Sequence, residues 1–272
     1  MRYVHRIGFR ASPVQERQLE ALGVKPDEHT ALPGGGDPLI TFDVRESHPK
    51  WSTLDELFKQ WKVSDFLRTE FSKKEIDSAQ WLEMGAWHHG YPQPDDDVFG
   101  YRQATYDLTE WCEQCGIGMK QKAPFQMKGE PKWGKNGIMQ LIWVYDELFV
   151  TPDVWTAVFE PHGIGRRAVV NAKGVELRTV FQLVVEEEVG MATDALTPVR
   201  CAACGRIKHL PVTRGFFPAL KSQPTKSIAK TIEYFGSGAA ATKRVVIAQH
   251  MYRDLAENMV RGATVMPVSF AQ

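Results

Sequence analysis

The stretches WCEQCGIG at Trp111–Gly118 and RCAACGRIK at Arg200–Lys208 contain all four cysteines of the chain: Cys112, Cys115, Cys201 and Cys204. Each pair is spaced CxxC and is followed by glycine. Two intervening residues allow a tight turn that aims both sulfurs at one ion, and the glycine tolerates backbone geometry that other residues avoid. Two such turns supply the four thiolates of a closed tetrahedral site. The sequence therefore predicts one structural Zn²⁺ ion held by these cysteines.

The spacing between the two pairs is unusual for a zinc site. In this chain 85 residues lie between Cys115 and Cys201, whereas common zinc ribbons use about 15–20. The pairs would then join two separately folded segments. Redox or disulfide chemistry is an alternative, although neither pair precedes the helical pattern of a thioredoxin-like motif. Four ordinary buried thiols are the remaining interpretation.

A weak internal similarity gives the distant pairs a rationale. TEFSKKEIDSAQWLEMG at Thr69–Gly85 aligns without gaps on ELFVTPDVWTAVFEPHG at Glu147–Gly163, at an offset of 78 positions. Each copy has a short strand pattern, a Ser or Thr at the N-cap, an acidic first turn, an apolar helical stripe and a final glycine, which predicts helices over Lys73–Met84 and Pro152–Pro161. Each copy is followed by a β-rich run, YRQATYDL and ELRTVFQLVVEEE respectively, and then by a CxxCG. Chance similarity between two amphipathic segments is the alternative explanation.

These patterns predict an α+β fold. Two related strand–helix–sheet halves, about 39–118 and 138–208, would be joined by the zinc site. Residues 216–272 would add a strand–helix–strand unit, with a strand at Val245–Ala248 and a helix at Met251–Met259. Met1–Arg10 is predicted to be an edge strand and Ile138–Tyr145 one buried strand, and helices are predicted over Pro13–Leu22 and over Thr53–Trp61, whose apolar residues share one face. No linker divides the chain clearly, so we expect one compact domain over 1–272.

Composition excludes several classes of protein. A hydrophobic content of 43% and a charged content of 24% are those of a globular protein. No apolar run approaches the ~20 residues that span a bilayer, and the start MRYVHRIGFRAS lacks the apolar segment of a secretory signal. Lys plus Arg equals Asp plus Glu at 33 each, so no net charge favours nucleic acid. We expect a cytoplasmic protein without a membrane partner.

The remaining polar motifs are weak. His88 and His89 are adjacent and point in different directions, so they are poor co-ligands, and the acidic run that follows them is typical of a surface loop. The glycine-rich PGGGDP and FGSGAAATKR lack a phosphate-loop signature. Glu186–Glu188 is typical of a solvated strand end, or of an acidic contact. With the cysteines committed to zinc, we predict no catalytic residues and no enzyme activity.

The chain resembles the bacterial double-CxxCG motif family. The resemblance rests on the two CxxCG sites, on LFVTPDVWTAVFEPHGIG before the second site and on the ending GATVMPVSF, and it covers roughly Thr69–Phe270. That family includes predicted immunity proteins of polymorphic and contact-dependent toxin systems. The resemblance implies a protein that binds and neutralises a cognate toxin by contact, with zinc as a structural staple.

Two other functions remain open from the sequence. A zinc-ribbon-type nucleic-acid-binding protein would need a basic face, and the richest stretch, Lys120–Lys135, has five lysines. An uncharacterised enzyme with structural zinc would need a cleft with convergent polar groups, which the sequence does not reveal. For a toxin contact, the loops at Gly90–Asp97 and Gln121–Gly137 are the candidates, with Glu186–Glu188 a further one. The sequence does not indicate an oligomeric state.

Overall fold

The computed structural model describes residues 1–86, 88–89, 100–142 and 144–270. It has the mixed α+β composition expected from the sequence, with many strands and few helices. Contacts group the chain into two compact units, Met1–Glu75 with Val212–Gly215, and Ile76–Pro211 with Phe216–Gln272. The sequence analysis placed the whole chain in one domain. The division follows from the apolar side chains of the N-terminal residues, which form a core of their own.

The first unit is an antiparallel sheet with two helices. Its elements are β1 (Arg2–Arg10), α1 (Pro13–Ala21), β2 (Glu28–Thr30), β3 (Leu39–Arg45), α2 (Trp51–Trp61) and β4 (Ser64–Glu70). The strand order is β2-β3-β1-β4, so β1 lies inside the sheet and is not the predicted edge strand. Ser12 caps α1 through a capping box with Gln15, which satisfies backbone donors at the helix start. The apolar stripe of α2, with Leu54 and Phe58 buried, packs on the sheet as predicted from its spacing.

The second unit begins within α3 (Lys73–Ser78) and carries all the cysteines. Its first part consists of β5 (Trp81–Ala86), β6 (His88–His89), α4 (Gly100–Thr105), β7 (Tyr106–Asp107), β8 (Lys120–Gln121), β9 (Gln126–Met127), β10 (Ile138–Leu141), β11 (Val144–Val150) and α5 (Pro152–Val154), which continues as a π-helical turn at Trp155–Phe159. The rest consists of β12 (Gly165–Asn171), β13 (Glu176–Val184), β14 (Glu188–Val189), β15 (Pro198–Arg200), β16 (Ile207–His209), β17 (Ile228–Thr231), β18 (Val245–Ala248), α6 (Gln249–Glu257) and β19 (Ala263–Pro267).

Two larger sheets organise this second unit. In the described part of the chain one has the order β6-β10-β11-β13-β12-β9 and the other the order β14-β17-β18-β5-β19. The largest core cluster contains side chains from both sheets, from α6 and from the π-helical turn. A second cluster lies on the other side of the first sheet, because alternate residues of β11 point to opposite faces: Leu148 and Val150 to one, Phe149 to the other.

The helix predicted over Lys73–Met84 is wrong beyond Ser78. Trp81–Ala86 is instead the buried strand β5, hydrogen-bonded to β18 on one edge and to β19 on the other. The strand buries Glu83, whose carboxylate lies 2.6 Å from the guanidinium of Arg244. That charge is therefore compensated by a residue far away in sequence, a pairing that local periodicity cannot reveal.

The predicted pair of related halves is not confirmed. The second copy is helical over 152–159, but the first copy is helical only to Ser78 and then extended. The boundary between the two compact units also falls inside the first copy, after Glu75. The two segments have similar sequences where their helices begin. This similarity has a local cause, because many helices begin with a Ser or Thr cap followed by an acidic residue.

Two further strand predictions need correction. Ile138–Tyr145 is not one strand, because β10 ends at Leu141 and returns as β11, with Leu141 opposite Val144. Part of the segment YRQATYDL is the helix α4 and only Tyr106–Asp107 is extended. The C-terminal order is confirmed, since β18, α6 and β19 follow one another and Met251 and Leu255 are buried, but α6 covers Gln249–Glu257 and leaves Met259 exposed beyond its end. No helix of the described residues is both long and apolar enough to cross a membrane.

Candidate metal centre

The structure brings the four cysteines together. Their sulfur atoms all lie within 4.8 Å of one another. Two sulfur–sulfur distances, Cys112 to Cys201 and Cys115 to Cys204, are 3.7 Å. A tetrahedral ion with metal–sulfur bonds of about 2.3 Å would place its sulfurs roughly 3.8 Å apart. The four thiols therefore fit the ligand shell of one metal ion, and all four are free of disulfide bonds.

The first pair lies on a tight turn. The backbone N–H of Cys112 donates to the carbonyl of Ile117 at 2.9 Å, and the N–H of Gly116 donates to the carbonyl of Cys112 at 2.7 Å. Gly116 has a φ of +86°, a conformation that side chains with a Cβ rarely adopt. The glycine after the second cysteine is thus required by the turn itself, as its position in the sequence indicated.

The second pair repeats these bonds in a different setting. The N–H of Cys201 donates to the carbonyl of Arg206 at 2.9 Å, and the N–H of Gly205 donates to the carbonyl of Cys201 at 2.9 Å. This turn closes the hairpin of β15 and β16. The two CxxCG turns therefore share one hydrogen-bond pattern, although the segments around them differ.

Polar side chains tie one turn to the other. The Gln114 side-chain oxygen accepts a hydrogen bond from the N–H of Ala203 at 3.0 Å. The guanidinium of Arg206 donates to the carbonyls of Glu110 and Ile117, at 2.7 and 2.8 Å. Each turn thus supplies a residue that is bonded to the other, which fixes the two pairs in register around the sulfurs.

A glycine-rich segment packs against the first turn. This is FGSGAAATKR, which had no assigned role in the sequence analysis. The N–H of Ala241 donates to the carbonyl of Cys115 at 3.1 Å, and a Cβ added at Gly116 would lie 2.3 Å from the carbonyl oxygen of Ala239. The side chain of Cys115 is consequently almost fully buried, with 1% of its surface exposed.

The thiols differ in their affinity for protons. Burial raises the pKa of Cys115 to about 12. The backbone N–H of Cys204 donates to the sulfur of Cys201 and lowers the pKa of that thiol to about 6. A cation that binds here must displace the proton of Cys115, whereas the hydrogen bond from Cys204 already favours the thiolate form of Cys201. Metal uptake should therefore release protons and weaken as the pH falls.

A matched pair of substitutions tests the packing of the first turn. We expect Gly116→Ala to destabilise the protein by about 2–4 kcal/mol and Gly205→Ala by only about 1 kcal/mol. Both glycines have positive φ, at +86° and +72°, so the backbone strain is similar. The two positions differ because a Cβ at residue 116 would clash with Ala239, whereas the nearest atom to a Cβ at residue 205 is 4.0 Å away. Urea unfolding measures the free energy of unfolding of the two variants. An equal decrease in both would contradict this packing.

The site has the chemistry of a structural centre. Four cysteine ligands complete a tetrahedral shell and leave no position for water or substrate. Cys112, Cys115 and Cys201 are buried, and Cys204 alone of the four is exposed. As ligands of one ion, the four cysteines would join the turn after α4 and β7 to the β15–β16 hairpin and would leave no open coordination position.

A second polar cluster was missed by the sequence analysis. Glu147 is buried in β11, and its carboxylate accepts a hydrogen bond from Lys230 at 2.6 Å and from Gln182 at 2.9 Å. Burial raises the pKa of Glu147, and the ammonium of Lys230 opposes that rise. An acidic residue inside the apolar stretch VYDELFV was the available signal, since a carboxylate in a buried strand requires a partner.

Other predicted candidates have structural roles or fall outside the description. Gly90–Asp97 lies outside the described residues, and of His88 and His89 only the backbone is described, as β6. Glu187 accepts hydrogen bonds from the N–H groups of Thr225 and Lys226, both at 2.6 Å. Glu188 is paired with Lys243. Among Glu186–Glu188, Glu186 is the one residue without a hydrogen-bond or ion-pair partner among the described residues.

The chain matches no family model, no curated protein and no solved structure.

Proposed function

We propose that the four-cysteine site holds one structural Zn²⁺ ion. Zinc favours four thiolate ligands in a tetrahedral arrangement and has no redox chemistry that would oxidise them. The sulfur–sulfur distances of 3.7 Å support an ion of this size. A reducing, cytoplasmic location agrees with four free thiols placed for metal binding.

We further propose that the protein is an immunity protein that neutralises a cognate bacterial toxin by direct contact. The observation that carries this proposal is the clustering of all four cysteines, because as ligands of one ion they would serve the architecture of the protein and not turnover. The partner class comes from the resemblance to the double-CxxCG immunity proteins. Recognition of a protein requires a stable, exposed surface. A structural metal ion that joins two segments of the second unit would stabilise such a surface.

The loop Gln121–Gly137 is the contact surface that we favour. Two buried side chains, Phe125 and Met127, anchor it to the core. The carboxylate of Glu130 accepts hydrogen bonds from the N–H groups of Arg178 and Thr179, at 2.7 and 3.1 Å. The loop is therefore held in one conformation, which lowers the entropic cost of binding a partner.

The charge of this loop indicates what it would bind. Its lysines at 122, 128, 132 and 135 are exposed, so an acidic surface of the toxin would be complementary. Trp133 is half-buried and its indole N–H donates to the carbonyl of Thr179 at 2.8 Å. It presents a rigid aromatic side chain beside the lysines, and tryptophan is one of the residue types enriched in interface hot spots.

Co-expression with the product of the adjacent gene tests the proposal. We expect the two proteins to co-purify and the chain to restore growth. The double variant Lys132→Glu, Lys135→Glu should weaken the complex about tenfold or more, while Lys173→Glu, an exposed lysine outside the loop, should bind normally. Both variants should unfold at the same temperature as the unaltered protein.

Three results would count against the proposal. Binding to the adjacent gene product no tighter than to an unrelated protein would exclude the partner. Growth protection without a complex would favour an enzyme. A gel shift with DNA or RNA at low salt would favour the nucleic-acid alternative.

A further inference from the structure

A polar cleft lies next to the metal centre in the second unit. Its volume is about 480 Å³, within the range of small-molecule sites. One wall is made by Gly116 and Gly118 of the first cysteine turn, and another by the segment Ala241–Lys243. Since Ala241 is hydrogen-bonded to Cys115, the metal ligands and the cleft walls are parts of one rigid structure.

The floor of the cleft is a connected hydrogen-bond network. The pair Glu147–Lys230 is joined to Gln182, whose side-chain N–H group also donates to the Gln121 oxygen at 2.7 Å. Gln121 in turn accepts a hydrogen bond from the guanidinium of Arg167 at 3.1 Å. Only 1% of the surface of Gln182 is exposed. A buried, mutually satisfied network of this kind fixes the positions of the groups that face the cleft.

Most charges of the cleft are neutralised by protein groups. Lys230 is paired with Glu147 and Lys243 with Glu188. Lys120 is paired with Glu110, which is not part of the cleft lining.

Three charged side chains of the lining form no ion pair within 4.0 Å among the described residues, although the charge of Asp146 also acts on Lys230. Two are the carboxylates of Asp146 and Glu186, and one is the guanidinium of Arg167. The unmatched set is therefore two negative charges and one positive charge. Four thiolates around a divalent ion would add further negative potential beside it.

We propose that this cleft binds a free basic amino acid, arginine or lysine. Such a ligand carries one carboxylate for Arg167 and two cationic groups, the α-amino group and the side-chain group, for Asp146 and Glu186. Charge for charge it matches the unmatched groups of the cleft, and it is small enough to enter a space of about 480 Å³. Binding of this ligand does not depend on the proposed toxin contact.

Calorimetric titration of the intact protein at low salt tests the assignment with ligands that each lack one charge. L-Arginine and L-lysine should bind saturably at one site. Agmatine and cadaverine lack the carboxylate, norleucine lacks the side-chain cation, and Nα-acetyl-lysine lacks the charge of the α-amino group. Each should bind about tenfold or more weakly, because one charged hydrogen-bonded contact is lost.

Variants connect each charge of the ligand to a residue. Arg167→Gln should remove the preference for arginine over agmatine and leave the preference for lysine over norleucine. Asp146→Asn and Glu186→Gln should weaken binding of both amino acids about tenfold or more. Glu257→Gln on α6, which is exposed and outside the cleft, is the matched control and should bind normally. Thermal unfolding of each variant verifies that it is folded.

Several outcomes overturn the proposal. The first is that neither arginine nor lysine binds saturably. The second is that agmatine binds as tightly as arginine, or that norleucine or Nα-acetyl-lysine binds as tightly as lysine. The third is that the Asp146 and Glu186 variants bind the amino acids as tightly as the unaltered protein. None of these outcomes bears on whether the adjacent gene product is bound, so the two proposals fail separately.

Discussion

Substitution of Cys115 by serine is expected to abolish stoichiometric metal binding and to lower the free energy of unfolding by about 4–5 kcal/mol. A metal ion at the four cysteines would join segments that are 85 residues apart, and closing a loop of that length stabilises a protein by about this amount through the entropy of the unfolded chain. The almost fully buried serine hydroxyl would also lack the ion that we propose as the partner of the sulfur.

Elemental analysis and urea unfolding measure this result. The unaltered protein should contain one zinc ion per chain, and a strong chelator should lower its stability toward that of the variant. Ala202→Ser is the matched control, since it adds a hydroxyl to the exposed part of the second cysteine turn and removes no ligand. A metal-free preparation, or a chelator that leaves the unfolding midpoint unchanged, would refute the structural role of the ion.

Substitution of Lys230 by methionine is expected to cost about 3–5 kcal/mol, because it leaves the carboxylate of Glu147 buried without its counter-charge. The two side chains are only 13% and 11% exposed. The double variant Glu147→Gln, Lys230→Met should recover much of the loss, since it removes both charges together. Lys120→Met breaks an ion pair in which both side chains are more than half exposed and should change stability by less than about 1 kcal/mol.

The loss in Lys230→Met should depend on pH in a defined direction. Burial raises the pKa of Glu147 above its ordinary value of 4.5, and without Lys230 the hydrogen bond from Gln182 is left to oppose the rise without a counter-charge. The folded variant then binds a proton more tightly than the unfolded chain, so its stability should fall as the pH rises above 4.5 and recover as the pH is lowered. Urea unfolding between pH 5 and 8 measures the effect. A loss that is independent of pH would mean that Glu147 is solvated in the variant.

The cysteine ligands and several elements could be predicted from the sequence. The CxxCG turns are defined by bonds within six residues, such as that from Cys112 to Ile117, and by the positive φ of one glycine. Local patterns also predicted β1, α1, α2 and the C-terminal strand–helix–strand unit, because capping residues and an apolar face act over short distances. The zinc identity and the toxin contact remain proposals.

The secondary structure of other segments depends on strand pairing with residues that are distant in the chain. The segment Trp81–Ala86 became β5 because β18 and β19 bond to both of its edges, and Ile138–Tyr145 folded back because β11 pairs with β13. The intrinsic preference of a segment for helix or strand contributes less free energy than these pairings and the burial that accompanies them. The predicted repeat is not confirmed for the same reason, since long-range pairing makes the second half of its first copy a strand.

The sequence by itself thus determined which atoms could bind a metal, since thiol chemistry and turn geometry are local properties. Only the tertiary structure decided that the two cysteine pairs meet, that Glu147 faces Lys230, and that Asp146, Glu186 and Arg167 line one cleft. Several of these groups are far apart in the chain, such as Cys112 and Cys201, which are separated by 89 positions. Their positions follow from long-range strand pairing and burial, which the order of residues along the chain does not display.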